Sequence, residues 1–182
     1  MSRRTSRAHA FAIVFGASFF SGFPDYGLDD VSEAARLYFD TQSEEGRPVD
    51  GESAGFIMRE VTGVWSHADK IDALIDRFAS GWSIERISRV DLAILRIAIH
   101  EMLYMKDIPE GVAINEAVEL AKQYGQDDSP AFVNGILGSV SKDVKARRER
   151  GPRAKGLRPK AAPAKRVRRR PGGVPLRENG GE

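Results

Sequence analysis

Apolar residues recur at steps of three and four along most of this chain, a period that predicts α-helices. Ala8, Phe11, Phe15 and Phe19 line up within a first helix over about Thr5–Phe20, which should stop near Gly22-Phe23-Pro24. Asp29 and Asp30 are candidate caps for a second helix over Val31–Gln42. Ser43–Glu52 is polar and holds Gly46, Pro48 and Gly51, so it reads as a loop. From Ser53 to Ala79 the residues Phe56, Ile57, Val61, Val64, Trp65, Ile71, Leu74, Ile75 and Phe78 predict one long helix or two in succession, ended by Gly81. Ser83 is the candidate cap of the next segment, but Arg86 stands three residues on, so no capping box closes there.

Val90–Met105 is nearly continuous apolar sequence, interrupted by Asp91, Arg96, His100 and Glu101. That pattern predicts the buried central helix of a bundle, with Arg96 paired to an internal carboxylate. Pro109 should open a helix through Tyr124 that Gly125 ends. Ser129-Pro130, a cap followed by proline, should open a last helix through about Arg147. Asn134-Gly135 inside that helix is unusual. Gly135 and Gly138 repeat at three, which reads as close packing of a neighbouring helix. No strand or hairpin signal competes, so the expected class is all-α, a compact bundle of six or seven helices.

Charge divides the chain. Residues 142–182 hold 15 Lys and Arg against 4 Asp and Glu, a net +11, while residues 1–141 hold 13 basic and 22 acidic residues, a net −9. Residues 1–150 are therefore expected to form one acidic helical domain with a short basic leader at Arg3, Arg4 and Arg7. Residues 151–182 are rich in Gly, Pro, Ala, Lys and Arg and nearly free of large apolar residues. They should form a disordered tail. Basic ends on an acidic body suggest nucleic acid at the ends and a basic protein on the body.

The basic start and the apolar run Ala8–Phe20 also resemble an export signal. No small-x-small cleavage site follows, and the helical spacing of the run favours an amphipathic first helix. No run approaches the roughly 18 apolar residues a membrane span needs. The chain has no cysteine, which excludes disulfides and thiolate chemistry and fits a reducing, cytoplasmic setting. The three histidines are scattered, so no metal site or other cofactor is expected.

Four stretches then stand out: Leu95–Tyr104 (LRIAIHEMLY), Ile108-Pro109, Val112–Lys122 (VAINEAVELAK) and Phe132–Leu137 (FVNGIL). Their order and spacing closely resemble the NusB family of transcription antitermination factors, and Arg7, Ala10 and Phe15 fall at the family's spacing in the first helix. The resemblance covers about residues 3–145. It implies two helical subdomains packed together. It also implies binding to the boxA element of ribosomal RNA leader transcripts, jointly with a small-subunit ribosomal protein that doubles as an elongation factor (NusE). Such a complex acts on RNA polymerase with other Nus factors. The family usually carries glutamine and tyrosine where Ala12 and Phe15 stand, so those positions lack the corresponding hydrogen bonds.

Arg3, Arg4 and Arg7 fall on one side of the first helical turns and are candidate phosphate contacts, since guanidinium donates bidentate bonds. Positive charge at a helix N-terminus opposes the macrodipole, which points to a functional reason; the alternative is a solvated helix start. Tyr124 and Phe132 flank the turn Gly125–Ser129 and either stack on RNA bases or anchor the helix junction in the core. Asp128 either accepts from base edges or is a loop acid, and Lys122 either meets phosphate or solvent. On the resemblance, Phe15 and Asp91 belong to the surface for the ribosomal protein; Asp91 is otherwise a helix-start acid.

Two other functions compete. One is an enzyme, most sharply an RNA cytosine methyltransferase, some of which carry a NusB-like domain. This chain has no Gly-rich cofactor loop and no cysteine nucleophile, so it is read as non-enzymatic, with His100 and Glu101 as a weak catalytic candidate. The other is a helical protein-interaction module without specific RNA binding, its tail serving only solubility.

Overall fold

The computed structural model describes residues 1–20, 26–79 and 83–149. The expected helix stops at Gly22–Pro24 and at Gly81, and the tail 151–182, lie outside the described residues. Among the described residues the chain forms α1 (Arg3–Ala17), α2 (Leu28–Glu44), α3 (Gly51–Ser66), α4 (Ala68–Phe78), a single 3₁₀ turn (Ile84–Arg86), α5 (Arg89–Tyr104), α6 (Glu110–Tyr124) and α7 (Ser129–Glu149). No strand occurs among them. The all-α expectation holds, and the Ser53–Ala79 pattern resolves into two helices. The break falls at His67, which ends α3 and precedes α4; its imidazole Nδ1 lies 2.8 Å from the Gly63 carbonyl oxygen.

Three local expectations are corrected. Asp29 and Asp30 are not the caps of α2. Gly27 is, and Asp30 in the first turn accepts from the Gly27 N–H at 2.7 Å. Ser83 precedes only the 3₁₀ turn and makes no side-chain capping bond. The cap of α5 is Ser88, whose hydroxyl accepts from the Asp91 N–H at 3.0 Å and donates to Asp91 Oδ2 at 2.8 Å. Gly135 and Gly138 face open space: a Cβ at either would meet nothing within 4 Å. Helix packing does not explain them.

The helices α1, α2 and α3 pack on one another, as do α5, α6 and α7, and α5 also touches α1, α3 and α4. This makes two packed groups joined through α5. Ile94, Leu95, Ile97, Ala98 and Ile99 on α5 are all buried. Truncating a large one of these side chains to Ala typically costs about 2–5 kcal/mol, so α5 is the spine that fixes the outer helices. Gly63 on α3 permits this packing, since a Cβ there would sit 2.1 Å from His100 Nε2. Gly125 permits the tight α6–α7 turn, where a Cβ would lie 2.7 Å from the Ala121 carbonyl oxygen.

Candidate nucleic-acid interface

The helix α1 begins at Ser2, whose hydroxyl accepts from the Thr5 N–H at 3.1 Å, and no acid stands in its first turn. Its three leader arginines separate. Arg3 donates to Glu52 at 2.9 Å and lies over the Phe56 ring, 4.7 Å from its centre. Arg4 turns the other way, to α6, and forms a two-pronged pair with Glu116 at 3.1 and 2.9 Å while its side chain stays 65% exposed. That bond raises the Arg4 pKa and lowers that of Glu116.

Arg7 does not belong to an exposed cluster. It is 5% exposed, and its Nε donates to Glu101 on α5 at 2.5 Å, with Glu116 3.9 Å from its Nη1. The reason is helical phase. Arg7 shares a face with Ala10, Phe11 and Val14, all buried. Its charge serves the packing of α1 on α5, which leaves Arg3 and Arg4 as the leader's exposed cations.

Arg4 lines one rim of an open groove of about 590 Å³ between α6 and α7. Asn115, Val118, Glu119 and Lys122 form the α6 wall, and Pro130, Ala131 and Asn134 the α7 wall. Their spacing of three and four puts each set on one helix face. Lys122 is exposed and donates to Glu119 at 2.7 Å, which lowers the Glu119 pKa. Each groove cation thus has a carboxylate partner that solvent also reaches. The Lys122–Glu119 pair is exposed on both sides and contributes little to stability, so a phosphate can replace that carboxylate at small cost, while Arg4 is exposed on a half-buried Glu116.

The other sequence-derived residues gather at the far end of α6. Tyr124 is 41% exposed and stacks on Phe11, with ring centres 4.8 Å apart. Phe11 stacks in turn on half-buried Phe15 at 5.9 Å, and Phe15 meets exposed Phe19 edge-on at 5.2 Å. The Arg89 guanidinium covers Phe19 at 4.4 Å. Beside them is a cleft of about 130 Å³ lined by Arg86, Ile87, Ser88, Asp91, Gln126, Asp128 and Phe132. Asp128 is exposed, Phe132 half-buried and Asp91 buried, with its Oδ1 lacking a hydrogen-bond partner. The structure therefore joins residues that the sequence assigned to different partners: Phe15 shares a ring ladder with Tyr124, and Asp91 shares a cleft with Asp128 and Phe132. Sequence reasoning missed Asn115, Glu116 and Glu119, although the series Asn115, Glu119, Lys122 already marks one helix face.

His100 and Glu101 are 4% and 1% exposed and sit against Glu60 and Arg7 inside the bundle. Burial lowers the His100 pKa to about 4. A pair sealed this way has no path to a substrate, so it does not form a catalytic site. As expected, Arg96 pairs with a carboxylate, that of Asp72, through two bonds of 2.8 and 2.7 Å.

The NusB family model matches residues 4–142. The transcription antitermination protein NusB of Oleidesulfovibrio alaskensis is 39% identical over 145 residues, covering 80% of this chain and 90% of that protein. Its counterpart in Symbiobacterium thermophilum is 41% identical over 146 residues, covering 80% and 92%. Among solved structures, NusB of T. maritima superposes with a TM-score of 0.68 at 34% identity, over 79% of this chain and 92% of that one. The match to a structure of antitermination factors NusB and NusE in complex with dsRNA has a TM-score of 0.59. At 21% identity, over 79% of this chain and 99% of that one, it speaks to fold alone.

Proposed function

The chain belongs to the NusB family of transcription antitermination factors, and from that premise we propose that it binds boxA-type single-stranded RNA of ribosomal RNA leader transcripts together with the ribosomal protein NusE. The observation that carries the reading is the meeting of Arg4, from the chain's start, with Lys122 and the α6–α7 walls in one groove. Distant segments converge there on exposed cations with exchangeable partners, in a domain whose net charge is otherwise negative. Arg3, Arg4 and Lys122 hold phosphates. Tyr124 and Phe132 offer ring faces to unstacked bases, and Asp128 beside Phe132 accepts from base amino groups. Phe15 and Asp91 are assigned to the NusE side, Phe15 through the ring ladder and Asp91 through the cleft it lines, where an acidic body meets a basic ribosomal protein. The complex would act on RNA polymerase with other Nus factors, in the cytoplasm. One solved structure of the same fold was determined with NusE and dsRNA.

The test is binding to a boxA-containing single-stranded RNA and to a scrambled RNA, with and without purified NusE, across a salt series. Preference for the boxA RNA, tightened by NusE, is the expected result. Replacing Arg3, Arg4 and Lys122 by Ala should weaken binding and flatten its salt dependence, by up to about one unit of slope for each phosphate no longer neutralised. Equal affinity for both RNAs, whether or not NusE is present, would leave only a protein-interaction module.

A further inference from the structure

We infer that the α6–α7 groove reads RNA base edges, with Asn115 and Asn134 as the discriminating side chains on its two walls. This deepens the RNA-binding reading above and rests on it.

Both side chains are exposed, and neither carboxamide hydrogen-bonds to another described residue. A carboxamide carries donor and acceptor side by side, the combination that pairs with the edge of adenine and, singly, with the other bases. The cations beside them do not make the groove a phosphate channel. Lys122 is matched by Glu119 within the groove and Arg4 by Glu116 beside it, so little of the cations' charge is left unmatched. A phosphate drawn into it would lie against the Glu119 carboxylate. Bases are neutral and meet no such penalty, and Glu119 can itself accept from an exocyclic amino group. A strand with its bases in the groove and its phosphates toward the rim, where Arg4 and Lys122 can exchange partners, satisfies both sets of groups.

The glycines point the same way. Gly138 stands four residues after Asn134 and Gly111 four before Asn115, so each continues the groove face of its own helix. Neither Cβ would touch anything within 4 Å. A glycine inside a helix costs about 1 kcal/mol relative to Ala, and packing gives no reason for the one in α7. Bare backbone next to Asn134 does have a use if a planar base must lie flat along the wall.

The test compares fluorescence-labelled boxA-containing RNA with a scrambled RNA of equal length and composition. The double variant Asn115→Ala, Asn134→Ala should lose about tenfold or more for the boxA RNA. It should keep its affinity for the scrambled RNA and its salt slope. Equal loss on both RNAs, or loss on neither, overturns the inference. So does a loss of NusE affinity with RNA binding intact, since the groove would then be a protein face. Gly138→Gln separates binding from folding: it should raise Tm while weakening boxA binding. A higher Tm with unchanged binding places the RNA elsewhere and overturns the inference. Failure of the underlying reading is visible in the unmodified protein, which would not distinguish the two RNAs at all.

Discussion

Arg4 and Arg7 stand three residues apart on α1 and serve different ends. Arg7 is sealed against Glu101, so Arg7→Ala would strand a buried carboxylate and should cost about 3–5 kcal/mol, read as a lower denaturation midpoint. Arg4→Ala should lower the midpoint far less and weaken RNA binding, because Arg4 is itself exposed and Glu116 keeps Arg7 nearby. An unmoved midpoint in Arg7→Ala would overturn the structural role given to it. That division was legible in the chain, since Arg7 shares its phase with Ala10, Phe11 and Val14. The charge alone, read without the phase, hid it. Glu60 was not legible: nothing near it in sequence signals a carboxylate sealed against partners from α1 and α5.

The same buried group predicts a pH dependence. Burial raises the Glu60 and Glu101 carboxyls to about 8; the neighbouring Glu60 charge adds to the rise at Glu101, and Arg7 opposes it at both. His100 faces Glu60 at 3.1 Å, and Arg59 and Asp107 act on Glu60 from farther off. A proton shared by the two carboxyls would give Glu60 Oε1 the partner it otherwise lacks. A carboxyl raised above its ordinary value of 4.5 keeps its proton longer in the folded state, so its stabilisation is full below 4.5 and lost as pH rises toward 8. His100, lowered from 6.5 to about 4, has the opposite slope between those values. The two offset each other in mild acid, and above 6.5 only the carboxyls titrate. Stability should therefore fall between about pH 6.5 and 8, and Glu60→Gln, which supplies a permanent donor, should flatten the fall. Denaturant titrations across this range check it. A flat profile in the unmodified protein would show that the pair holds no proton.

At the scale of elements, helix existence was readable and helix joints were less so. The long apolar period from Ser53 to Ala79 carries no Gly or Pro at the α3–α4 break; His67 makes the break by turning its ring onto the Gly63 carbonyl. Caps were misplaced where a more conspicuous acid stood near a quieter residue, as with Asp29 and Asp30 beside Gly27. Glycines separate cleanly by what surrounds them. Gly63→Ala would drive a methyl into the His100 ring and should lower stability by about 1–3 kcal/mol or more, the usual range for overpacking. Gly135→Ala adds its methyl in open space and should raise stability by up to about 1 kcal/mol. Thermal unfolding of the two variants should therefore shift in opposite directions. Shifts of the same sign would mean that the α3–α5 approach is looser than it stands here.

At the scale of the whole molecule, the groove could not be read from any one stretch, because its walls come from residues 4, 115–122 and 130–134. The charge division, in contrast, is written plainly: −9 on residues 1–141 and +11 on residues 142–182. An acidic body repels RNA at long range, and a polycationic segment joined to it would offset that repulsion and speed encounter. We propose that role for residues 151–182, with affinity gained by releasing counterions from phosphates. That contribution is blind to base sequence. Truncation after Arg150 should lower affinity for boxA-containing and scrambled RNA by a similar factor and reduce the salt slope, leaving their ratio nearly unchanged. If the groove alone discriminates, the truncated protein should still lose its preference on Asn115→Ala, Asn134→Ala. A tail that serves only solubility would leave affinity unchanged even at low salt, where counterion release is strongest. Collapse of the ratio on truncation would instead make the tail part of the reading surface, and the division between a discriminating body and a non-discriminating tail would fall.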